Sequence, residues 1–196
     1  DPVGYQPYMR DPQTLARPWV LPGTPGMEHR IGGLAKQDGT GRVSYDPEDH
    51  EHMVRQRAAK VERVADAIPD LEVDGPQTGD LLVVGWGSTY GALRTATEQV
   101  RATGAAVAHA HLRHLKPFPR NLGEVLTRYR QVLVPELNLG QLALLLQARF
   151  PVRVVPHGKV KGQPFRIREI AERIRSLLGS RGSRPRATGP SAGETT

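Results

Sequence analysis

The sequence contains no cysteine, which excludes disulfides, thiolate metal sites, cysteine-ligated iron–sulfur clusters and cysteine nucleophiles within this chain. It also lacks any run of about 18 apolar residues and any signal peptide, so we expect no membrane association. No Ser–His–Asp arrangement, HExxH motif, P-loop or acidic metal cluster is visible. We therefore expect no catalytic residue and no metal site here, and a cytoplasmic location.

Aromatic residues are also scarce, at 5% of the chain, although the formal net charge is +7. A basic protein invites a nucleic-acid interpretation. However, much of the basic excess lies in residues 113–130 and 166–186, without the interleaved aromatic side chains of a base-stacking surface. We expect no nucleic-acid partner.

The distribution of proline and glycine divides the chain into four segments. Residues 1–45 are rich in both, which disfavours regular elements, yet they contain Tyr5, Tyr8 and Trp19. We predict an extended strap there, with these aromatic residues packed on another domain or subunit. A connecting helix over 47–68 and a polar joint follow within 46–79. A folded domain is expected over 80–178 and a disordered tail over 179–196. The first residue is not methionine, and we interpret the chain as a fragment of a longer polypeptide.

The folded domain repeats one unit, an apolar strand followed by a turn and a helix. The predicted strands cover residues 81–84, 106–112, 132–135 and 152–156, and the predicted helices cover 90–103, 122–129, 140–150 and 164–178. Short apolar runs between helices are typical of a parallel sheet covered on both faces. The sequence predicts an α/β fold with three α/β/α layers and a mainly parallel sheet.

The loops that follow these strands must lie at one edge of the sheet, where open α/β folds bind ligands. The first is Gly85-Trp-Gly-Ser-Thr-Tyr-Gly91, whose glycine spacing is one residue too long for a dinucleotide fingerprint. Its amides and hydroxyls suit a phosphate, but a sharp strand-to-helix turn explains the glycines as well. The candidate phosphate, coenzyme A or subunit contacts are Gly85, Gly87, Ser88, Thr89, Asn138, Lys159 and Lys161.

Further polar residues at this edge leave two interpretations open. His111, Arg113, His114, Lys116 and His157 would form a basic rim with the two lysines, attracting anions or simply meeting solvent. Glu136, Asn138 and Gln141 either contact a ligand or neighbouring subunit, or make capping and turn hydrogen bonds.

Four motifs in order resemble one known family. They are Gly85–Gly91, Leu-Arg-His-Leu-Lys-Pro-Phe-Pro over 112–119, Val-Pro-Glu-Leu-Asn-Leu-Gly-Gln-Leu over 134–142, and Lys-Val-Lys-Gly-Gln-Pro-Phe over 159–165. Together with Pro-Gly-Met-Glu-His over 25–29, they are similar to the carboxy-terminal part of the alpha subunit of 2-oxoacid:ferredoxin oxidoreductases. The 2-oxoglutarate type matches best. The resemblance covers about residues 1–178.

This resemblance implies a transketolase C-terminal-like domain in an enzyme that converts a 2-oxo acid to acyl-coenzyme A and passes electrons to ferredoxin. Thiamine diphosphate, magnesium and an iron–sulfur cluster belong to the whole enzyme, with coenzyme A as co-substrate. The implied partners are the beta subunit, the missing amino-terminal domains of the alpha subunit, and ferredoxin. The fragment is expected to be structural rather than catalytic. Two alternatives are a stand-alone nucleotide or coenzyme A binding module and the C-terminal domain of another thiamine-diphosphate enzyme.

Overall fold

The structure, a computed structural model, describes residues 3–179, so the predicted tail beyond Gly179 lies outside the described residues. The described residues form two units. The first comprises the chain up to Asp70 together with His114–Arg120, and the second comprises Leu71–Arg113 and the chain from Asn121 onward. Residues 114–120, which fall inside the predicted 80–178 segment, thus group with the first unit.

The first unit consists of turns followed by one long helix. Before the helix, its described residues contain only turns, bends and isolated bridges, among them Tyr8 with Gly39 and Lys36 with Val43. Helix α1 spans Pro47–Arg63 and continues as a short 3-10 turn. Asp46 caps α1 by accepting a hydrogen bond of 2.8 Å from the Glu48 amide. The connecting helix is therefore present where the sequence predicts it.

The second unit is built on a five-stranded sheet with the strand order β1-β3-β2-β4-β5. Strand β1 pairs antiparallel with β3, and the other neighbours are parallel. The strands are β1 (Val73–Asp74), β2 (Gly79–Trp86), β3 (Val107–Leu112), β4 (Tyr129–Glu136) and β5 (Val154–Gly158). The helices are α2 (Tyr90–Arg101), α3 (Leu122–Thr127), α4 (Gln141–Arg149) and α5 (Ile167–Gly179).

Alternation along the strands separates two helical layers. Leu81 and Val83 of β2 share one buried cluster with Leu93 of α2 and with Ile170 and Ile174 of α5. Successive side chains of a strand point to opposite faces of the sheet. Leu82 and Val84 of β2 are also fully buried, and they therefore face the other helical layer. Helices α3 and α4 pack there against β4 and β5. The predicted α/β fold with three layers and a mainly parallel sheet is confirmed.

One strand and several element boundaries differ from the prediction. Strand β1 was not predicted, and it lies in the segment expected to be a polar joint. Helix α3 ends at Thr127 rather than at residue 129, because Tyr129 is the first residue of β4. The Tyr129 hydroxyl donates a hydrogen bond of 2.6 Å to the Pro76 carbonyl. Strand β5 runs over Val154–Gly158 rather than 152–156. Strands β2 and β4 are each four residues longer than predicted. Within the described residues, every helix falls short of the length and apolarity that crossing a membrane requires.

Candidate functional site at the carboxyl edge of the sheet

The exit from β2 is shaped by close packing. A Cβ atom on Gly85 would lie 2.5 Å from Leu93 Cδ1 and 3.1 Å from Thr89 Oγ1, so only glycine fits there without displacing neighbours. The Thr89 side chain is buried, and its hydroxyl donates a hydrogen bond of 2.8 Å to the Trp86 carbonyl. Of the candidate residues in this turn, Gly87 and Ser88 remain exposed.

The end of β4 carries a buried carboxylate with four hydrogen-bond donors. Glu136 is 1% exposed. Its Oε1 accepts from Trp86 Nε1 at 3.2 Å and from the Leu142 amide at 2.9 Å, and its Oε2 accepts from the Ala143 amide at 3.0 Å. Asn138 Nδ2 donates to Oε1 at 3.1 Å. A negative charge at the amino end of α4 also complements the helix dipole.

Asn138 completes this arrangement. Its Oδ1 accepts hydrogen bonds from the amides of Gly140, at 2.7 Å, and Gln141, at 3.1 Å. Gly140 adopts φ +93°, a left-handed conformation that favours glycine. Of the two interpretations left open for Glu136 and Asn138, the contacts match the capping one.

The exits of β4 and β5 also touch. A Cβ on Gly158 would lie 2.8 Å from the backbone oxygen of Asn138. The two loops are therefore so close that a residue with a side chain at position 158 would clash. The Lys159 amide donates to the Glu136 carbonyl at 2.9 Å. The loop after β5 is thereby held against the loop after β4.

The two candidate lysines of the last loop differ sharply. Lys159 Nζ donates to both carboxylate oxygens of Glu169, at 3.0 and 2.8 Å, and to the Pro164 carbonyl at 2.9 Å. This hydrogen bond from Lys159, with one from the Arg166 amide, lowers the pKa of Glu169. Lys161 is exposed. Lys159 is therefore engaged within its own loop, and Lys161 faces solvent.

A second group of side chains lies where β3 meets β1 and α2, and of its members the sequence singled out only His111. His109 is 2% exposed, and its Nε2 has no hydrogen-bond partner. Burial is the main cause that lowers the pKa of His109 to about 4; nearby His111 lowers it further, and Asp74 opposes the shift. The ring centre of Tyr90 lies 5.0 Å from that of His111 and 5.7 Å from that of His109. Two histidines at alternate positions of β3 must share a face, but the spacing gave no sign of their burial.

The predicted basic rim is not one feature of the second unit. His114 and Lys116 belong to the first unit, where Lys116 pairs with Glu62. In the second unit, burial lowers the pKa of His111, with a further contribution from Arg113. Burial likewise lowers the pKa of His157, whose ring stacks on Phe165 with 5.5 Å between centres. Burial therefore favours the neutral forms of His111 and His157.

The described residues contain no cluster of three or more His, Asp or Glu side chains placed to hold a metal ion. The chain as a whole has no cysteine. The side chains that meet at the carboxyl edge chiefly satisfy one another: Glu136 with Trp86 and Asn138, and Lys159 with Glu169. These contacts hold the loops of this edge together.

Comparison with known proteins identifies the family. Residues 79–170 match the family model described as pyruvate:ferredoxin oxidoreductase core domain II. The 2-oxoglutarate oxidoreductase subunit KorA of Mycobacterium tuberculosis is 54% identical over 179 residues, covering 90% of this chain and 27% of that protein. The alpha subunit of 2-oxoacid:ferredoxin oxidoreductase 2 of Aeropyrum pernix is 33% identical over 156 residues, covering 76% of this chain and 24% of that protein.

A solved structure agrees with the sequence matches. The 2-oxoglutarate:ferredoxin oxidoreductase from Magnetococcus marinus, with 2-oxoglutarate, coenzyme A and succinyl-CoA bound, matches with a TM-score of 0.81 and 30% identity. The match covers 89% of this chain and 31% of that one. This chain thus spans about a quarter of the length of the curated relatives described above. It belongs to the alpha-subunit family of the 2-oxoacid:ferredoxin oxidoreductases, and residues 79–170 are its core domain II.

Proposed function

We propose that this chain is the carboxy-terminal part of the alpha subunit of a 2-oxoglutarate:ferredoxin oxidoreductase, and that it supports assembly rather than catalysis. The whole enzyme would decarboxylate 2-oxoglutarate oxidatively, form the acyl-coenzyme A product and pass electrons to ferredoxin. The observation that carries the proposal is the 54% identity to a 2-oxoglutarate oxidoreductase subunit over 90% of this chain.

A supporting role is consistent with how the polar groups at the carboxyl edge are used. Glu136 and Lys159, the charged side chains most enclosed there, each bond to partners within the second unit. A general acid or base needs a free position facing its substrate, and these two groups have none. The edge instead forms a rigid rim that can contact a neighbouring domain or subunit.

Exposed apolar side chains favour a contact role. Helix α4 is apolar on both sides: Leu142 and Leu146 are buried, while Leu144 is 70% and Leu145 is 53% exposed. Leu139, just before this helix, is 90% exposed. A helix with apolar residues all round is typical of one that is covered on both sides, so we infer that a neighbouring domain or subunit covers this surface.

The first unit also exposes large apolar side chains. Trp19 is 97%, Leu21 76% and Ile31 74% exposed. Exposed tryptophan of this kind is enriched at the energetic centres of protein interfaces. We propose that Trp19 packs on another domain of the alpha subunit or on the beta subunit.

The cofactors of the whole enzyme would be held elsewhere. The residues of this chain do not fit an iron–sulfur cluster, because there is no cysteine to ligate it. The described residues contain no cluster of three or more metal-ligating side chains. We propose that other domains and the beta subunit hold thiamine diphosphate, magnesium and the cluster. Gly87, Ser88 and Lys161 stay exposed and are the candidates for contact with coenzyme A phosphates.

The decisive experiment is to co-express the complete alpha subunit with the product of its neighbouring gene and to assay reduction of a viologen dye. We expect reduction that depends on 2-oxoglutarate, on coenzyme A and on both chains. Activity with another 2-oxo acid alone would correct the substrate. Inactivity with every 2-oxo acid would contradict the proposal.

A further inference from the structure

One long stretch of the second unit carries positive charge without a single acidic residue. Between Glu136 and Glu169 the sequence contains no aspartate or glutamate. The same stretch, residues 137–168, forms the turn after β4, helix α4, strand β5 and the loop that leads to α5. It contains six lysines and arginines: Arg149, Arg153, Lys159, Lys161, Arg166 and Arg168. The charge contributed by this stretch is therefore wholly positive.

The acids at the two ends of this stretch are engaged by their neighbours. The carboxylate of Glu136 is buried and accepts four hydrogen bonds. Both carboxylate oxygens of Glu169 accept from Lys159. In the layer that holds α4, Glu124 of helix α3 pairs with Arg128. The negative charges nearest to the stretch are thus already used inside the second unit.

The same stretch exposes large apolar side chains. Besides Leu139, Leu144 and Leu145, described above, it exposes 63% of Val160. On α4, the exposed Ala148 follows Leu144 by four residues and Leu145 by three, a spacing that places the three side chains on neighbouring rows of one helix face. An apolar ridge of this kind packs into the groove of another helix.

The loop after β5 is closed by a lysine and held beside the turn that precedes α4. Lys159 Nζ donates to the Pro164 carbonyl at 2.9 Å, so the residues between them, which include the exposed Val160 and Lys161, form a closed loop. The Lys159 amide donates to the Glu136 carbonyl at 2.9 Å, which joins this loop to the end of β4. Groups that are fixed before binding lose little conformational freedom when a partner arrives.

We propose that these elements form a docking surface for an acidic amphipathic helix of a partner polypeptide. The surface, called the α4 surface here, consists of Leu139, Leu144, Leu145, Val160 and Lys161. The apolar face of the partner helix packs on the leucines, and its carboxylates face the positive charge of Lys161. This inference rests on the proposed function, in which a neighbouring domain or subunit covers α4, and it specifies the chemistry of that neighbour.

Two other occupants of the α4 surface fit the observations less well. Proteins that lie on an anionic lipid surface use exposed aromatic anchors, whereas Phe165 of this stretch is buried and Phe150 is half-buried. A second copy of this chain, paired about a two-fold axis, would place the same positive surface on both sides of the contact, so like charges would meet.

The test is a titration of the 196-residue chain with fluorescent helical peptides, followed by anisotropy. One peptide has a leucine face and a glutamate face, and in the matched peptide lysine replaces every glutamate. We expect saturable binding of the glutamate peptide alone, and weaker binding as the ionic strength rises. Equal binding of both peptides, or binding of neither, would overturn the proposal.

Two further measurements test the other occupants directly. Cosedimentation with phosphatidylserine vesicles measures lipid binding, and analytical ultracentrifugation of the chain alone measures self-association. We expect neither. Binding to the vesicles without binding to the glutamate peptide would assign the α4 surface to a membrane. Self-association that is lost in Leu145→Ser would assign it to a second copy, and both results would contradict the proposal.

Substitutions locate peptide binding on the α4 surface. Leu145→Ser should weaken binding of the glutamate peptide about tenfold, as for an apolar anchor at an interface. Lys161→Glu should weaken it about fivefold, the effect of one exposed ion pair. Leu21→Ser and Arg57→Glu make the matched changes at exposed positions of the first unit and should leave binding unchanged. Equal losses in the matched variants would contradict binding at the α4 surface.

The peptide titration and the viologen assay can fail separately. Loss of the first with success of the second would overturn the docking inference alone. Peptide binding by a chain whose complete enzyme is inactive with every 2-oxo acid would support the α4 surface and contradict the proposed function.

Discussion

The indole N–H of Trp86 donates a hydrogen bond of 3.2 Å to the buried carboxylate of Glu136. This bond joins the end of β2 to the end of β4, and the same carboxylate caps the amino end of α4. Four donors bond to the carboxylate of Glu136, a residue that is 1% exposed. The carboxyl edge of the sheet is therefore held together by one fully used charged group.

Glu136→Gln should destabilise the second unit. The amide would place an NH₂ group against an existing N–H donor, and leaving a buried donor unsatisfied costs about 1–3 kcal/mol of the free energy of unfolding. Urea denaturation followed by the fluorescence of Trp86, in a Trp19→Phe background, measures the loss.

The matched control for that substitution is Glu72→Gln, which makes the same chemical change at an exposed position. It should alter the free energy of unfolding by less than about 0.5 kcal/mol. Equal effects of the two substitutions would show that the contacts of Glu136 do not stabilise this edge.

His109 should make the protein less stable in mild acid. Its pKa is lowered to about 4 in the folded state, so between pH 6.5 and pH 4 the unfolded chain binds more protons than the folded one. Stability is therefore complete above about pH 6.5 and decreases as the pH falls. This one group should contribute a loss of about 2 kcal/mol between pH 7 and pH 5.

The contribution of His109 is isolated by comparison with His109→Gln. Asp74, His111, Arg94 and Arg101 also act on the ring, so only the difference between the two proteins is diagnostic. Urea denaturation at pH 7 and pH 5 should show that wild type loses more stability than the variant. Parallel losses would mean that His109 titrates normally in the folded protein.

Alanine substitutions of Lys159 and Lys161 should differ in their effect on the local stability of the loop after β5. Lys159→Ala removes the bonds to Glu169 and Pro164, so hydrogen exchange should accelerate in the loop after β5 and in the first turn of α5. Lys161→Ala should leave exchange unchanged, because that side chain is exposed. Exchange measured by mass spectrometry on both variants checks this, and faster exchange in Lys161→Ala alone would reverse the assignment.

Leu144→Ser on α4 should weaken assembly of the whole enzyme without destabilising this chain. The side chain is 70% exposed, so its loss should change the free energy of unfolding by less than about 0.5 kcal/mol. If a neighbour covers α4, the dissociation constant of the complex should rise about tenfold. Arg168→Gln on α5, in the opposite layer, serves as the control. Equal sedimentation profiles for both variants would argue against contact at α4.

The sequence predicted the layers of the second unit because buried parallel strands have a strong local signature. Leu81 to Val84 form an uninterrupted apolar run, and α2 and α5 place their apolar residues on one face. Strand β1 escaped prediction because Val73 and Asp74 are only two residues in a polar stretch, and their pairing with β3 is a tertiary contact. Helix α3 was predicted two residues too long because Tyr129 suits either element.

The site was less predictable, because partners distant in sequence decide what each polar residue does. Lys159 looked like a free cation, and only the fold brings Glu169 to it across ten residues. Glu136 and Asn138 were correctly grouped, but the choice between ligand contact and capping required the position of the α4 amides. His109 gave no signal, since burial of a histidine depends on the layer packed over it.

The central claim, that this chain supports assembly, is tested most directly by Trp19→Ala in the complete alpha subunit, co-purified with the beta subunit. Sedimentation velocity gives the assembled fraction, and the viologen assay gives the activity of that fraction. We predict a smaller assembled fraction, with unchanged activity per assembled complex. An unchanged assembled fraction, or full assembly with lost activity, would contradict a contact role for Trp19, which is 97% exposed in the chain alone.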